Sequence, residues 1–309
     1  MQALVIKSTG SWYTVKTTKG QVLDCRIKGK FRIKDIKSTN PIVVGDLVSI
    51  EQEGESWLIK TLEERKNFIV RKSVNLSKQT HIIASNVDQA ILMVTIQNPV
   101  TTTGFIDRFL AAAQSYGIEL LIIFNKLDIY NKEMMRKQQE LHKLYEKIGY
   151  SCIAISVLQD NLDAVKVAMK NKVNVIAGHS GVGKSTLINK LQPGLNLVTK
   201  TISETHKQGQ HTTTFSEMYE LHFGARIIDT PGIRGFGLVE IKKEELGDYF
   251  KEFLTLKQKC KFHNCIHINE PDCAIKEGLT KGSIAESRFA SYLSMLEEGR
   301  IKQLKPHPI

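Results

Sequence analysis

The 309-residue chain is 41% hydrophobic and 24% charged, the balance of a globular protein with room for two or three domains. No run approaches the ~18 apolar residues of a membrane span, and residues 1–7 lack the basic start and long apolar core of a signal peptide, so a cytoplasmic protein with no membrane partner is expected. The formal net charge of +11 points to a polyanionic partner such as nucleic acid.

That charge is concentrated at the start of the chain. Lys7, Lys16, Lys19, Arg26, Lys28, Lys30, Arg32, Lys34 and Lys37 face only Asp24 and Asp35, a net of +7 within 37 residues. The same region reads as short strands at 3–6, 12–17, 22–27, 43–50 and 57–61. Turn signals separate them at Thr9-Gly10, Lys19-Gly20, Lys28-Gly29, Asn40-Pro41 and Glu53-Gly54. Five short strands in a small basic domain predict a compact β-barrel of OB-fold type, whose faces and loops are used to hold oligonucleotides. A barrel used only for protein contact is the alternative. Residues 63–78 are polar and basic and read as a linker.

From Gln89 the pattern alternates strands and helices. The run Ala90-Ile91-Leu92-Met93-Val94 is apolar throughout, as in a strand buried on both faces. Thr103 can cap a helix reaching Tyr116, with Phe105, Ile106, Phe109, Leu110 and Ala113 at helical spacing. A buried strand at 120–124, a helix over 132–148, a strand at 152–155 and a helix over 162–170 follow. The next strand is Val173-Asn174-Val175-Ile176-Ala177, and another at 225–228 closes the domain. This rhythm predicts a parallel, doubly wound sheet. Beyond it, a helix is expected over 242–253. A last helix is expected from Ser283, with Ser283 and Glu286 spaced as a capping box, to about Leu304 before Pro306 and Pro308. The expected domains are 1–68, 69–239 and 240–309.

The chemistry is carried by a few short stretches. Gly178-His179-Ser180-Gly181-Val182-Gly183-Lys184-Ser185 matches G-x-x-x-x-G-K-[ST], preceded by a strand and followed by a helix that opens on Thr186. Its glycines let successive N–H groups point at an anion, Lys184 adds a point charge at the β/γ-phosphates, and Ser185 can offer its hydroxyl to Mg²⁺. Asn125-Lys126-Leu127-Asp128 follows directly on a strand. The Asp128 carboxylate can accept from the ring N–H and exocyclic amine that guanine presents and adenine does not. Asn125 can bond the other edge of the base, and the Lys126 stem can lie across the ring. Ile155-Ser156, at another strand end, can meet the base through backbone N–H groups. Asp229-Thr230-Pro231-Gly232 has the same placement: Asp229 can hold Mg²⁺ and the Gly232 N–H can meet a γ-phosphate. Between these lies Gly209-Gln210-His211-Thr212-Thr213-Thr214, one of whose threonines, assigned as Thr213, can complete the magnesium shell.

Five cysteines divide into two groups. Cys25 and Cys152 stand alone and read as inert thiols. Cys260, Cys265 and Cys273 cluster, which in a cytosolic chain suggests metal rather than disulfides. Three thiolates and one imidazole make a closed tetrahedral zinc site with a structural role, and spacing alone allows either His263 or His267 as the fourth ligand.

These are the parts of a GTPase in rotated order, since residues 125–128 and Ser156 precede the phosphate loop and residues 229–232 close the domain. In this the chain resembles the circularly permuted GTPases, and within them the YjeQ/YloQ family of small-ribosomal-subunit biogenesis GTPases. The shared features are the barrel with Val44-Gly45-Asp46, Asn86-Val87-Asp88-Gln89 before the first buried strand, residues 209–214 and the C-terminal metal cluster. The resemblance covers nearly the whole chain. It implies an OB-fold barrel, a central α/β P-loop GTPase domain with permuted motifs and a mostly helical zinc-binding domain, with His267 the favoured fourth ligand. It further implies a GTPase, monomeric, that binds GTP and GDP, docks on the small ribosomal subunit and its rRNA late in maturation, and is stimulated there.

Two positions depart from related enzymes. Ras-like enzymes carry a water-orienting glutamine just after the glycine equivalent to Gly232, and here Ile233 stands there. The resemblance implies that His211 replaces it, the alternative being a His211 that contacts RNA or faces solvent. The asparagine that supports potassium binding in some related GTPases would stand where Gly181 does, so no potassium dependence is expected. The rival function is an RNA-binding assembly scaffold that binds GTP with little hydrolysis.

Overall fold

The computed structural model describes residues 1–27, 41–72, 80–195, 216–229 and 241–303. Strands β1 (Gln2–Ser8), β2 (Tyr13–Thr17), β3 (Val22–Ile27), β4 (Leu47–Glu53) and β5 (Ser56–Leu62) form the N-terminal barrel. β1 pairs antiparallel with β2 and β4, β2 with β3, and β4 with β5, while β3 and β5 run parallel and complete the ring. Alternation along β2 puts Tyr13, Val15 and Thr17 inside, where Val5, Cys25, Val48, Ile50 and Ile59 meet the two apolar ones. Cys25 lies in this core, its pKa pushed up to about 11 by burial and Asp24.

The expected fourth strand starts late, at Leu47 rather than at 43. Residues 43–46 turn instead, with the Val43 N–H donating to Asp46 Oδ2 at 2.8 Å and Gly45 at φ 98°. A Cβ on Gly45 would stand 2.0 Å from the Ser85 carbonyl oxygen, so this turn is where the barrel docks. Asp46 is fully buried and accepts from Arg65 Nε and Nη2, both at 2.7 Å, and from Ser85 Oγ at 2.6 Å. The expected linker is also corrected. Phe68–Lys72 is a strand, β6, pairing antiparallel with β7 (Thr80–Ser85). Its polar flanks hid Ile69, which is fully buried.

The central sheet runs in the order β10, β9, β8, β11, β13, β12 and continues through β12 into β1. Its strands are β8 (Gln89–Val94), β9 (Glu119–Phe124), β10 (Ser151–Ala154), β11 (Val173–Ala177), β12 (Ser216–Glu220) and β13 (Arg226–Asp229). All are parallel to their neighbours except β12. Helices α1 (Thr103–Ser115) and α2 (Lys132–Ile148) cover one face, and α3 (Asp163–Met169) and α4 (Lys184–Leu191) the other. The period of two explains this: Ala90, Leu92 and Val94 pack with Ile106, Phe109 and Tyr145, while Ile91 and Met93 pack with Val165, Met169 and Leu187. Thr102, not Thr103, caps α1, accepting from the Phe105 N–H. Cys152 on β10 is a half-buried thiol, its pKa pushed up to about 12 by burial first and Glu146 second.

Helices α5 (Lys243–Leu246), α6 (Lys251–Lys257), α7 (Ala274–Thr280) and α8 (Glu286–Gln303) build the C-terminal module. The single helix expected over 242–253 is broken by a 3-10 turn at Gly247–Tyr249. Gly247 lies against His267, whose Nε2 is 3.3 Å from where a Cβ would stand. The last helix starts at Glu286 rather than at Ser283, and Ser283 Oγ donates back to the Gly278 carbonyl at 3.0 Å. Ala111 of α1 belongs to this module's core, beside Leu246, Phe250 and Tyr292. Among the described residues no helix is long and apolar enough to cross a membrane.

Candidate functional site

Parallel pairing puts the C-terminal ends of β8, β9, β10, β11 and β13 along one edge of the sheet, with Val94, Phe124 and Ala154 in register and Ala177 beside Leu92. Asn125, Ser156, Gly178 and Asp229 stand at those ends, and ligands of open α/β sheets bind there. The segments separated in the chain therefore converge. Residues His211, Thr213 and Gly232, together with Ile233 and the rest of 209–214 and 230–233, lie outside the described residues.

The phosphate loop needs glycine at two of its positions for steric reasons. A Cβ on Gly178 (φ 138°) would approach the Met93 carbonyl oxygen to 2.5 Å, and one on Gly183 (φ 105°) would reach Asn125 Nδ2 at 2.4 Å. Val182 faces inward and is fully buried, which anchors the loop in the core. His179 packs its ring on Phe105 of α1 with centroids 4.1 Å apart. Lys184 Nζ lies across the loop, donating to the carbonyls of Gly178 (2.8 Å) and His179 (2.7 Å). Ser180 and Gly181 are exposed at the tip, and Ser185 and Thr186 follow in the first turn of α4.

Asn125 joins three loops. Its Nδ2 donates to the Val182 carbonyl at 2.8 Å, and its Oδ1 accepts from the Val157 N–H at 2.9 Å. The amide expected to meet the base thus grips the phosphate loop on one side and the 156–157 turn on the other. Lys126 sits at φ 69° in the left-handed region, and its Nζ donates to the Asn98 carbonyl. Burial lowers the Lys126 pKa against the pull of Asp128. Asp128 is exposed, and one of its oxygens, Oδ1, accepts from Ser156 Oγ at 2.6 Å.

Ser156 enters the site through that hydroxyl. Its own N–H donates to Asp160 Oδ2 at 2.7 Å, and the Ile155 N–H donates to the Phe124 carbonyl at 2.8 Å, so the backbone donors expected at the base are engaged within the protein. Lys190 of α4 closes the loop from behind, donating to the carbonyls of Val157 (2.8 Å), Leu158 (3.1 Å) and Asp160 (2.8 Å). Sequence reasoning missed Lys190, Asp160 and Phe105. No spacing marks Lys190 or Phe105, because each acts across a gap in the chain that only folding closes, while Asp160 acts within its own turn, four residues from Ser156, in no recognised motif.

Asp229 ends β13, directly across from Glu217 of β12. Burial, and secondarily Glu217, raise its carboxyl pKa. Glu217 in turn pairs with Lys7 at 3.2 Å, and Glu220 pairs with Lys16. Two lysines of the basic N-terminal stretch therefore bind the central sheet, and Arg26 lies 3.8 Å over the Trp12 ring. Lys28, Lys30, Arg32, Lys34 and Lys37 lie outside the described residues.

Cys260, Cys265, His267 and Cys273 place their ligand atoms all within 4.8 Å of one another. His267 Nδ1 is 3.8 Å from Cys260 Sγ and 3.4 Å from Cys273 Sγ. A tetrahedral metal with the usual zinc bond lengths spaces its sulfur and nitrogen ligands about 3.6 Å apart, so the group fits such an ion. His263, the alternative by spacing, is exposed and stands outside the group. His267 is buried at φ 60°, packed edge-on against Phe253, and burial lowers its pKa, favouring the neutral ring a metal needs. Glu270 holds the turn by accepting from the N–H groups of Ile266, Ile268 and Asn269 at 2.9, 2.8 and 3.1 Å. Tyr292 Oη donates to the Ile266 carbonyl at 3.0 Å.

Comparison with known proteins follows the same division. The family model described as RsgA GTPase matches residues 62–239, and that described as RsgA N-terminal domain matches residues 2–57. The small ribosomal subunit biogenesis GTPase RsgA of Flavobacterium psychrophilum is 57% identical over 302 residues, covering 96% of this chain and 93% of the relative. The protein of the same name from Bacteroides fragilis (strain ATCC 25285) is 51% identical over 301 residues, 96% of this chain and 97% of its own. Among solved structures, YjeQ from Thermotoga maritima superposes with a TM-score of 0.80 at 34% identity, covering 96% of this chain and 97% of that one. YloQ, a circularly permuted GTPase, gives a TM-score of 0.77 at 29% identity, with 99% and 96% covered.

Proposed function

The chain belongs to the RsgA GTPase family, and on that premise we propose that it binds GTP and GDP at the strand ends and hydrolyses GTP during late maturation of the small ribosomal subunit, which stimulates it. The observation that carries this reading is the double grip of Asn125 on the phosphate loop (2.8 Å) and on the 156–157 turn (2.9 Å). It makes phosphate binding and base reading one rigid unit.

In this reading the N–H groups of residues 178–186 and Lys184 hold the β/γ-phosphates, a stronger acceptor for the ammonium than the two carbonyls it now meets. Asp128, oriented by Ser156, accepts from the guanine amine and ring N–H, while Asn125, Lys126 and Leu127 frame the base. Ser185, Thr213 and Asp229 hold Mg²⁺, which supplies charge neutralisation at the phosphates. The Gly232 N–H meets the γ-phosphate, and His211 orients the attacking water in place of the missing glutamine.

Cys260, Cys265, His267 and Cys273 hold one structural Zn²⁺. The domains divide at 1–68, 69–239 and 240–309. The C-terminal module senses nucleotide state through residues 229–232, and α1, which touches His179 through Phe105, provides a second route. The protein works as a cytoplasmic monomer on rRNA.

Release of phosphate from GTP, with and without small ribosomal subunits, tests this. Turnover should rise sharply with subunits, and His211→Ala should lower the stimulated rate far more than GDP affinity. Stimulated release that never exceeds the basal rate would favour the second reading, an RNA-binding scaffold with little hydrolysis, which Ile233 at the glutamine position supports.

A further inference from the structure

We propose that Tyr130 is a positioning residue for guanine readout: its hydroxyl fixes the backbone of the 125–128 turn and thereby sets how well Asp128 distinguishes guanine from bases without the exocyclic amine. The proposal rests on the reading of Asp128 as the guanine acceptor.

Tyr130 follows the 3-10 turn Leu127–Ile129 that carries Asp128. Its hydroxyl donates to the Asn125 carbonyl at 2.7 Å and accepts from the Ile96 N–H at 2.7 Å. These two backbone groups lie just past the ends of the neighbouring strands β8 and β9. The contacts between these two strands end with the Asn125 N–H donating to the Val94 carbonyl at 2.8 Å, and Thr95 turns its N–H and carbonyl to Thr101. One hydroxyl then bridges Ile96 and Asn125 where the two strands part, and supplies both an acceptor and a donor.

The consequences reach every group that touches the base. Asn125 is held at its N–H, its carbonyl and both ends of its amide. Its carbonyl bond to Tyr130 closes a loop around residues 126–129, including Lys126 in its left-handed conformation, which residues other than glycine adopt uncommonly. The Ile96 bond fixes the start of the segment whose Asn98 carbonyl accepts from Lys126 Nζ. Burial raises the Tyr130 pKa, so the hydroxyl keeps its proton and remains a donor throughout the neutral range. Asp128 itself is exposed and has little packing to aim it. Its direction is set by Ser156 on one side and by this braced turn on the other.

Tyr130→Phe in the full chain removes one oxygen and leaves the ring. Dissociation constants for GDP and IDP, which lacks the exocyclic amine, and the melting temperature without nucleotide are the readouts. Loss of the two bonds should weaken GDP binding about tenfold and shrink the GDP-to-IDP preference about threefold or more. A lowered melting temperature with an unchanged GDP-to-IDP preference would overturn the proposal, because Tyr130 would then only stabilise the fold. Asp128→Asn tests the underlying reading separately, since an amide should favour XDP, whose C2 carries a carbonyl. If Asp128→Asn switches the preference and Tyr130→Phe leaves it intact, only the Tyr130 assignment fails. If Asp128→Asn causes no switch, the guanine reading of that turn fails and takes the proposal with it.

Discussion

Replacing Arg288 by Met should destabilise the protein by about 3–5 kcal/mol, the cost of leaving buried carboxylates without their cation. Arg288 of α8 is fully buried. Its Nη1 lies 2.7 Å from Asp107 Oδ1, and its Nε and Nη2 lie 2.6 and 3.0 Å from the two oxygens of Glu252. Tyr145 Oη donates to the same Asp107 oxygen at 2.8 Å, and the guanidinium lies 4.5 Å from the Phe250 ring centre. Burial alone would lower the Arg288 pKa, but Asp107 and Glu252 outweigh it and the net shift is upward. Asp107 comes from α1 and Glu252 from α6, so one cation bolts the nucleotide domain to the C-terminal module. Met keeps the apolar stem and removes the guanidinium, with its charge and its three hydrogen bonds. Urea denaturation of the full chain, followed by circular dichroism, reads the loss against a total stability of about 5–15 kcal/mol. Adding Asp107→Asn to Arg288→Met should recover about 1–3 kcal/mol by removing the stranded charge. A single variant within about 1 kcal/mol of the parent, or a double variant no more stable than the single, would refute the argument.

Other outcomes follow from the same geometry. Gly183→Ala should weaken GDP binding at least about tenfold, since its Cβ would meet Asn125 Nδ2 at 2.4 Å. Gly149→Ala is the control: its φ is also positive, at 98°, but a Cβ there meets nothing within 4 Å, so it should cost about 1 kcal/mol of stability and leave GDP affinity unchanged. Equal affinities in the two variants would count against the steric account. Metal analysis should find about one zinc per chain, removable by chelation with loss of helical signal from the C-terminal module. Cys265→Ser should lower that content sharply, whereas His263→Ala should not.

Much of the site was legible before folding because its chemistry is local. A phosphate loop needs particular residue types at fixed spacing between a strand and a helix, and residues 173–191 show all of them in one stretch. The barrel strands and the α2 helix were legible for a similar reason, since periods of two and 3.6 are visible in any short window. Elements that depend on a distant partner were not. β6 reads as linker until β7 pairs with it, and β12 needs β1 and β13 on either side. The helix expected over 242–253 breaks where Gly247 meets His267, twenty residues on.

The same distinction holds within the site. Sequence alone pointed to phosphate, guanine and a tetrahedral metal as the chemistries of this chain, because each is written in donors and acceptors close together in the sequence. Only the tertiary structure decided what those donors do first. It gave the Asn125 amide to Val182 and Val157, the Ser156 N–H to Asp160, and two of the N-terminal lysines to Glu217 and Glu220. It also chose His267 over His263 for the metal group. A buried donor or acceptor must find a partner, and the nearest one in space is set by packing rather than by position along the chain.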